Sequence, residues 1–306
     1  MVRVDLITGF LGAGKTTFIR RYTHYLRKRG VVVRIIENEF GPLGVDSRFL
    51  SGEAGIDDLT GCCMCCDGKS RFRSLLLSAA ETGCHRVLVE PSGIYDAAGF
   101  FEIMDSDAVR SVCEIGSILT IADARWDDTL SPASRYLLAG QLLSAGAVIV
   151  SKSQCHSPKE IAFTRERLAA LAKEYGGDLP ILMEKPWAEY TGEDFAALER
   201  SGCRRMNMPA AFAGHRALYD SCTLGGRCLG EEDLRDRIGF IFSDPAYGRV
   251  MRVKGHMRDT EGHVYELNCT PSDRSIRPSG LKKGTCVIIG QGLNEARLEA
   301  AFLPAE

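Results

Sequence analysis

The stretch of sequence that decides the fold reads Gly9-Phe10-Leu11-Gly12-Ala13-Gly14-Lys15-Thr16. It fits the pattern of a phosphate-binding loop, in which glycine, any four residues, glycine and lysine precede a serine or threonine. An apolar run from Val2 to Thr8 comes before it and an amphipathic segment follows, so the loop joins a predicted strand to a predicted helix. Because an ordinary glycine-rich turn needs no such flanks, this context favours a nucleoside triphosphate site.

Each part of this loop has a predicted role at the phosphates. Its glycines let the backbone turn so that successive amide groups point inward at the N-terminus of a helix. The Lys15 ammonium reaches the β and γ phosphates, and the Thr16 hydroxyl binds Mg²⁺. The residues predicted to bind the nucleotide here are Gly9, Gly12, Ala13, Gly14, Lys15, Thr16 and Thr17.

Composition narrows the class of protein. The chain has 306 residues, enough for a large domain and a smaller one, and its formal charge is -2. Neither sign of charge forms a long block, so nucleic acids and anionic membranes are not predicted partners. The sequence shows neither an apolar run long enough to span a membrane nor an N-terminal secretion pattern, and a cytoplasmic protein is therefore predicted.

The pattern of apolar residues predicts the fold. Short apolar runs at 2–8, 31–37, 86–90, 118–122, 147–151 and 179–183 alternate with amphipathic segments, which is typical of a doubly wound, mostly parallel sheet. One of those segments opens with a capping box, Ser157-Pro158-Lys159-Glu160. After about residue 200 the periodicity changes to two. The sequence therefore predicts an α/β P-loop domain over residues 1–205, a linker over 206–234 and a smaller α+β domain over 235–306.

Three acidic residues follow predicted strands and are candidates for positioning Mg²⁺ or water. Glu39 and Asp46 lie in the turn after the second strand, and Glu90-Pro91-Ser92-Gly93 ends the third. The carboxyl ends of parallel strands meet at one edge of a sheet, so these carboxylates are expected near the γ phosphate. Lys15, Glu39 and Glu90 are the predicted catalytic residues, and Asp46 is a further predicted Mg²⁺ ligand. Solvated turns are the alternative interpretation.

A dense thiol cluster lies between these acidic stretches and reads Gly61-Cys62-Cys63-Met64-Cys65-Cys66-Asp67-Gly68. Neighbouring cysteines make poor disulfide partners, and a reducing compartment keeps thiols free. Soft thiolates select zinc, cobalt, copper or similar ions, so the favoured interpretation is a transition-metal site with an open position. A redox-active thiol pair and a merely buried cluster are the alternatives.

Together these motifs resemble the CobW/HypB/UreG group of GTPases, and the CobW-like members most. The resemblance rests on the phosphate loop, the Asn38-Glu39-Phe40-Gly41 stretch, the thiol cluster and Glu90 to Gly93, and it continues into Cys286 to Leu293. It implies a GTP-dependent metallochaperone, in which Mg²⁺ and GTP order a switch and hydrolysis favours transfer of a metal to a client.

The resemblance also implies a ligand set and partners. The family's Cys-x-Cys-Cys thiols carry over onto Cys63, Cys65 and Cys66, with Cys62 as an extra thiol that leaves the choice of three open. The predicted cargo is Zn²⁺ or Co²⁺. The predicted partners are GTP, the transition-metal ion, a client metalloprotein and a second copy of the chain.

One departure from the family concerns the base. The guanine-reading Asn-Lys-x-Asp motif stands here as Ser151-Lys152-Ser153-Gln154, from which Ser151, Lys152 and Gln154 are the predicted base contacts. An aspartate accepts hydrogen bonds from two guanine N–H groups, whereas the Gln154 amide offers one uncharged oxygen. Losing that charged acceptor weakens discrimination against ATP by about tenfold or more. The alternative is a strand-ending loop with base recognition elsewhere.

Several functions stay open at this point. The favoured one is slow GTP hydrolysis that controls a thiolate metal site. A nickel-inserting GTPase resembling HypB or UreG is the alternative within the family. Outside it stand a nucleotide-binding metal sensor or store without turnover, and a nucleotide-driven thiol redox or cofactor-reactivation role.

Overall fold

The computed structural model describes residues 1–37, 56–58, 68–93, 95, 97–127, 130–205, 219–225, 227–228, 230–259, 261–280 and 284–303. These residues form two compact units, one up to residue 205 and one from residue 219 onward. Some predicted site residues lie outside the described ranges, and their assignments stay predictions. They are Glu39, Asp46, Cys62, Cys63, Cys65 and Cys66.

The first unit is built on a seven-stranded sheet. Its strands are β1 (Val2–Gly9), β2 (Val33–Glu37), β3 (Ile56–Asp58), β4 (Arg86–Glu90), β5 (Cys113–Asp123), β6 (Ala147–Ser151) and β7 (Ile181–Met183). They lie in the order β3-β2-β4-β1-β5-β6-β7, and every neighbouring pair is parallel. Their carboxyl ends therefore share one edge of the sheet, where parallel sheets place their ligands.

Helices cover both faces of this sheet. Within the described residues they are α1 (Lys15–Lys28), α2 (Gly68–Glu81), α3 (Ala97–Met104), α4 (Asp107–Arg110), α5 (Pro132–Ser144), α6 (Pro158–Glu174) and α7 (Gly192–Glu199). Val4 and Leu6 of β1 enter one apolar core, whereas Ile7 joins Phe18 of α1 in another. The predicted doubly wound α/β fold is confirmed. None of the described helices is long and apolar enough to cross a membrane.

The predicted strands differ from the observed ones mainly in length. Arg86–Glu90 and Ala147–Ser151 have the predicted bounds, whereas β5 begins at Cys113, earlier than the predicted 118. Val2 of β1 pairs with Cys113, so the residues of β5 before 118 belong to the strand because they pair with β1. The apolar pattern of the sequence does not reveal this pairing. Strand β3 has three residues and was not predicted, because so short a run carries no periodicity.

In its described residues, the second unit contains an antiparallel sheet with two α-helices. Its elements are β8 (Asp220–Leu224), β9 (Arg227–Cys228), α8 (Glu231–Ser243), β10 (Arg249–Asp259), β11 (Val264–Cys269), β12 (Arg274–Ser279), β13 (Cys286–Gln291) and α9 (Glu295–Ala301). The sheet has the order β12-β11-β10-β13-β8, and β9 pairs in parallel with β10. Leu234 and Ile238 of α8 and Leu298 of α9 pack on it.

The boundary of this unit corrects one prediction. The range 206–234 was predicted as a linker, yet β8 lies within it and pairs with β13 from Asp220 through Leu224. Cys222 and Leu224 are buried in the core of the unit, which an unstructured linker would leave exposed. Helix α8 also begins inside the predicted linker, at Glu231. The second folded unit therefore starts earlier than residue 235. The strand was missed because it is short, has three polar residues among its five and is followed by Gly225 and Gly226.

Candidate nucleotide and metal-control site

The phosphate loop follows β1 and turns sharply at its glycines. The φ angles are 142° at Gly9, 76° at Gly12 and 99° at Gly14, all in the region that favours glycine. A Cβ at Gly9 would also lie 2.4 Å from the carbonyl oxygen of Ile121. Helix α1 then begins without a side-chain cap and without an acidic residue in its first turn. Its first N–H groups and the positive end of its dipole therefore suit an anion such as phosphate.

Lys15 lies within this loop rather than in solvent. Its side chain is 6% exposed, and Nζ donates a hydrogen bond to the carbonyl oxygen of Gly9 at 3.0 Å. Holding a buried ammonium group costs free energy unless charged or strongly polar partners surround it. The arrangement keeps the charge next to the loop amides, where phosphate oxygens are expected.

Thr16 and Glu90 meet at the same edge of the sheet. The Thr16 hydroxyl donates to Oε1 of Glu90 at 2.9 Å, although the two residues belong to different elements, α1 and β4. Glu90 is opposite Glu37 in the β2–β4 ladder, and both carboxylates are buried. A hydroxyl and buried carboxylates are the hard oxygen donors that Mg²⁺ prefers. The donor set therefore fits the predicted Mg²⁺ site, with Glu37 as an additional candidate.

The segment after β4 lies against the phosphate loop. A Cβ on Gly93 would lie 2.7 Å from the Leu11 backbone nitrogen, so only glycine permits this approach. Gln141 of α5 donates to the carbonyl oxygens of Gly93, at 3.4 Å, and Tyr95, at 3.3 Å. A movement of the loop backbone at Leu11 would therefore displace Gly93 and the start of the segment that leads to α3.

The predicted base-reading stretch ends β6 and enters a 3-10 turn, Ser153–Cys155. Lys152 has a φ of 57°, and its Nζ donates to Oδ2 of Asp123 at 2.8 Å. A Cβ on Gly14 would lie 3.9 Å from the Cβ of Ser151 and 3.2 Å from the Trp187 ring. Ser151, the first residue of the stretch, therefore lies beside the phosphate loop.

The structure brings together only part of the predicted site. Lys15, Thr16 and Glu90 share one edge, and Ser151 lies beside the loop, whereas Thr17 is exposed on α1. Glu37 and Trp187 were not predicted to contribute. The sequence could have indicated Glu37 as a site residue, because it ends an apolar run that is typical of a strand. No motif or periodicity in the sequence indicates Trp187. Among the described residues, no group of three or more histidines, cysteines and acids could hold a metal.

Comparison with known proteins identifies the family. The family model described as CobW/HypB/UreG, nucleotide-binding domain, matches residues 3–176. The chain belongs to the CobW/HypB/UreG family. Its first unit accordingly contains the nucleotide-binding domain of that family, and the resemblance inferred from the motifs is confirmed.

The chain is also similar to several individual proteins. The chain is 27% identical over 210 residues to the zinc chaperone CobW of Pseudomonas aeruginosa, which covers 58% of this chain and 54% of that protein. It thus spans about half the length of that relative. The zinc chaperone YeiR of Escherichia coli is 25% identical over 313 residues, with 90% of this chain and 92% of that protein covered. A solved structure of zinc(II)-bound YjiA GTPase from E. coli covers 98% of both chains at 19% identity and a TM-score of 0.43.

In a family of GTPases, the Thr16–Glu90 contact leads to a prediction about turnover. The change Glu90→Gln keeps an oxygen that accepts from Thr16 but removes the negative charge. We expect phosphate release from GTP to fall by about tenfold or more, while affinity for a non-hydrolysable GTP analogue changes by less than about threefold. Both are measured on purified protein. Glu114→Gln, at an exposed carboxylate paired with Arg3, is the matched control and should keep normal turnover.

Proposed function

We propose that this chain binds and slowly hydrolyses GTP, and that the nucleotide state controls a transition-metal ion held by Cys63, Cys65 and Cys66. The metal is then delivered to a client metalloprotein. The single observation that carries the proposal is the meeting of Thr16 and Glu90 at the phosphate loop, on the edge from which the thiol-bearing segment departs. Zinc is the proposed cargo, since the CobW and YeiR relatives are described as zinc chaperones.

The phosphate loop would bind the triphosphate through its backbone amides and Lys15. Bound Mg²⁺ supplies positive charge that neutralises the phosphate oxygens during hydrolysis. Thr16 and Glu90 would hold that ion or its water, and the buried Glu37 beside Glu90 adds negative charge for the same purpose. Catalysis of this kind is positional and electrostatic, which suits a slow intrinsic rate.

Contacts of α3 support a physical route from the nucleotide to the thiols. The segment before α3 packs at Gly93 against Leu11 of the phosphate loop. Glu102 of α3 forms an ion pair with Lys69 at the start of α2, with 2.5 Å between Oε2 and Nζ. The rings of Phe72 and Phe100 join the same two helices, with centroids 6.5 Å apart.

Helix α2 begins at Gly68, directly after the thiol residues in the sequence, so we expect a shift of α3 that moves α2 to alter the affinity of the thiols for metal. Packed helices transmit such shifts because the interface is dense and has few alternative arrangements. The proposal therefore requires that metal affinity depend on the nucleotide. Coupling between two sites of one protein typically changes the affinity at one of them by about 5-fold to 150-fold when the other is occupied.

The experiment measures zinc affinity of the purified protein without nucleotide, with GDP and with a non-hydrolysable GTP analogue, alongside phosphate release. We expect affinities in the GDP and analogue states to differ by about tenfold. Equal affinity in all three states would remove the switch. Absence of phosphate release would favour a sensor or store, and tighter binding of nickel than of zinc would favour an inserter of the HypB or UreG kind.

The triple variant Cys63→Ser, Cys65→Ser, Cys66→Ser provides the site control and should bind no zinc at this affinity. Cys155→Ser changes an exposed thiol outside the cluster and should bind zinc normally. If even the unmodified protein binds little zinc, a thiol redox role becomes the better account. Metal-binding thiols are kept reduced in the cytoplasm, which is the proposed location. A homodimer also stays a prediction, to be checked by light scattering.

A further inference from the structure

The turn Ser153–Cys155 and its neighbours determine what the site can read on a purine base. We infer that this chain does not recognise the 2-amino group of guanine, so that guanine and hypoxanthine nucleotides bind with nearly equal affinity. The inference rests on the proposed GTP binding and specifies the class of base accepted. It is carried by the hydrogen-bonding groups that the described residues place around this turn.

Guanine and hypoxanthine share every hydrogen-bonding group except one. Both carry the N1–H donor and the oxygen at position six, but only guanine has the 2-amino group. A carboxylate accepts N1–H with one oxygen and the 2-amino group with the other. The amide of Gln154 has a single acceptor oxygen, and its NH₂ group can only donate. That one oxygen can accept from N1–H, which both bases have, but it cannot meet both parallel N–H groups of guanine in good geometry, as the two oxygens of a carboxylate do.

Two described carboxylates on the neighbouring elements already accept hydrogen bonds from other groups. Asp123 accepts from Lys152 Nζ at 2.8 Å through one oxygen and from the Arg125 backbone N–H at 2.9 Å through the other. At the start of α6, Glu160 accepts from the Ser157 backbone N–H at 2.8 Å within a capping box.

Two further carboxylates near β7 are also paired. Glu184 accepts from Arg165 at 3.0 Å, and Asp194 accepts from Lys185 at 2.5 Å and from Thr191. The Lys185 bond lowers the pKa of Asp194 to about 2, so this carboxylate stays charged and committed. Glu189, on the 3-10 turn Trp187–Glu189, is exposed and is the competing candidate. Because Gln154 is exposed as well, exposure does not separate the two residues, and Glu189→Gln is therefore included in the test.

Besides Glu189, the described residues beside Gly14 and Trp187 supply two neutral hydroxyl groups. Ser151 and Ser153 are 1% and 4% exposed, and among the described residues neither hydroxyl has a hydrogen-bond partner. Burying a hydroxyl without a hydrogen-bond partner is unfavourable, so a ligand group that supplies one is stabilised there. A base beside Gly14 could supply one. Because a hydroxyl both donates and accepts, this pair would stabilise a purine without distinguishing the 2-amino group.

The test compares GDP with IDP, the hypoxanthine diphosphate, because neither is hydrolysed during a titration. Affinities are measured by isothermal titration in the presence of Mg²⁺. For the unmodified chain we expect the two dissociation constants to agree within about threefold, since neutral hydrogen bonds discriminate weakly. Gln154→Asp should create a preference for GDP of about tenfold or more, because it supplies the second, charged acceptor. Gln154→Asn, which stays neutral, is the matched control and should show no preference.

A preference for GDP of more than tenfold in the unmodified chain would overturn the inference. If Glu189→Gln then removed that preference, the exposed carboxylate would be the reader. Failure of both diphosphates to bind would instead refute the proposed function, and the inference with it. Gln154 is exposed, so its variants should fold, and matching thermal unfolding midpoints will check this.

Discussion

Replacement of Lys15 by alanine is expected to weaken GTP binding by a factor of about 100 or more, because charge-assisted bonds to phosphate are among the strongest in proteins. Lys15 is buried and held against Gly9 of the loop, so it is already placed for the phosphates and loses little entropy on binding. No other lysine occupies this loop. The measurement is a titration of the purified variant with a non-hydrolysable GTP analogue.

The same substitution has an opposite expected effect on stability. A buried ammonium group is costly to desolvate, so its removal should leave the free energy of unfolding unchanged or higher in the absence of nucleotide. Thermal unfolding of the free variant therefore separates loss of binding from loss of fold. Unchanged affinity in a variant of normal stability would contradict the nucleotide assignment of the loop.

The second large effect concerns stability. Arg86→Ala is expected to lower the free energy of unfolding by about 3 to 5 kcal/mol, the usual cost of breaking a buried ion pair by removing one partner. Arg86 Nη1 donates to Asp5 Oδ2 at 2.8 Å and to the Tyr22 hydroxyl oxygen at 2.9 Å, and both Arg86 and Asp5 are buried. Burial raises the pKa of Asp5, and Arg86 opposes that rise. Urea unfolding of the variant measures the loss.

An exposed pair on the same sheet provides the control. Arg3 pairs with Glu114 at 3.0 Å with side chains 55% and 46% exposed, so Arg3→Ala should cost less than about 1 kcal/mol. Equal effects of the two arginine substitutions would show that the Asp5–Arg86 pair adds no more than a surface contact. That outcome would require another account of why a charged pair lies inside the sheet.

Local patterns in the sequence were sufficient to predict the phosphate loop and its flanking strand and helix. The phosphate loop is contiguous, and its glycines, lysine and threonine occupy fixed offsets between a strand and a helix. The capping box was equally local, and the Ser157 hydroxyl accepts from the Glu160 backbone N–H as predicted. Glu90 was identified as a strand end, but its bond to Thr16 was not, because the two residues are far apart in sequence.

Contacts between residues that are distant in the sequence were decided by the tertiary structure, because they depend on the order of the strands. The doubly wound class of the first unit, the change of periodicity near residue 200 and the phosphate loop all follow from patterns within short windows of sequence. Which strands become neighbours depends instead on packing of whole elements. Because β4 lies between β1 and β2, Arg86 reaches Asp5, Glu90 lies beside Glu37, and Gly93 touches Leu11. The pairing of β8 with β13 is long-range in the same way, so no local pattern could place Asp220–Leu224 in the second sheet.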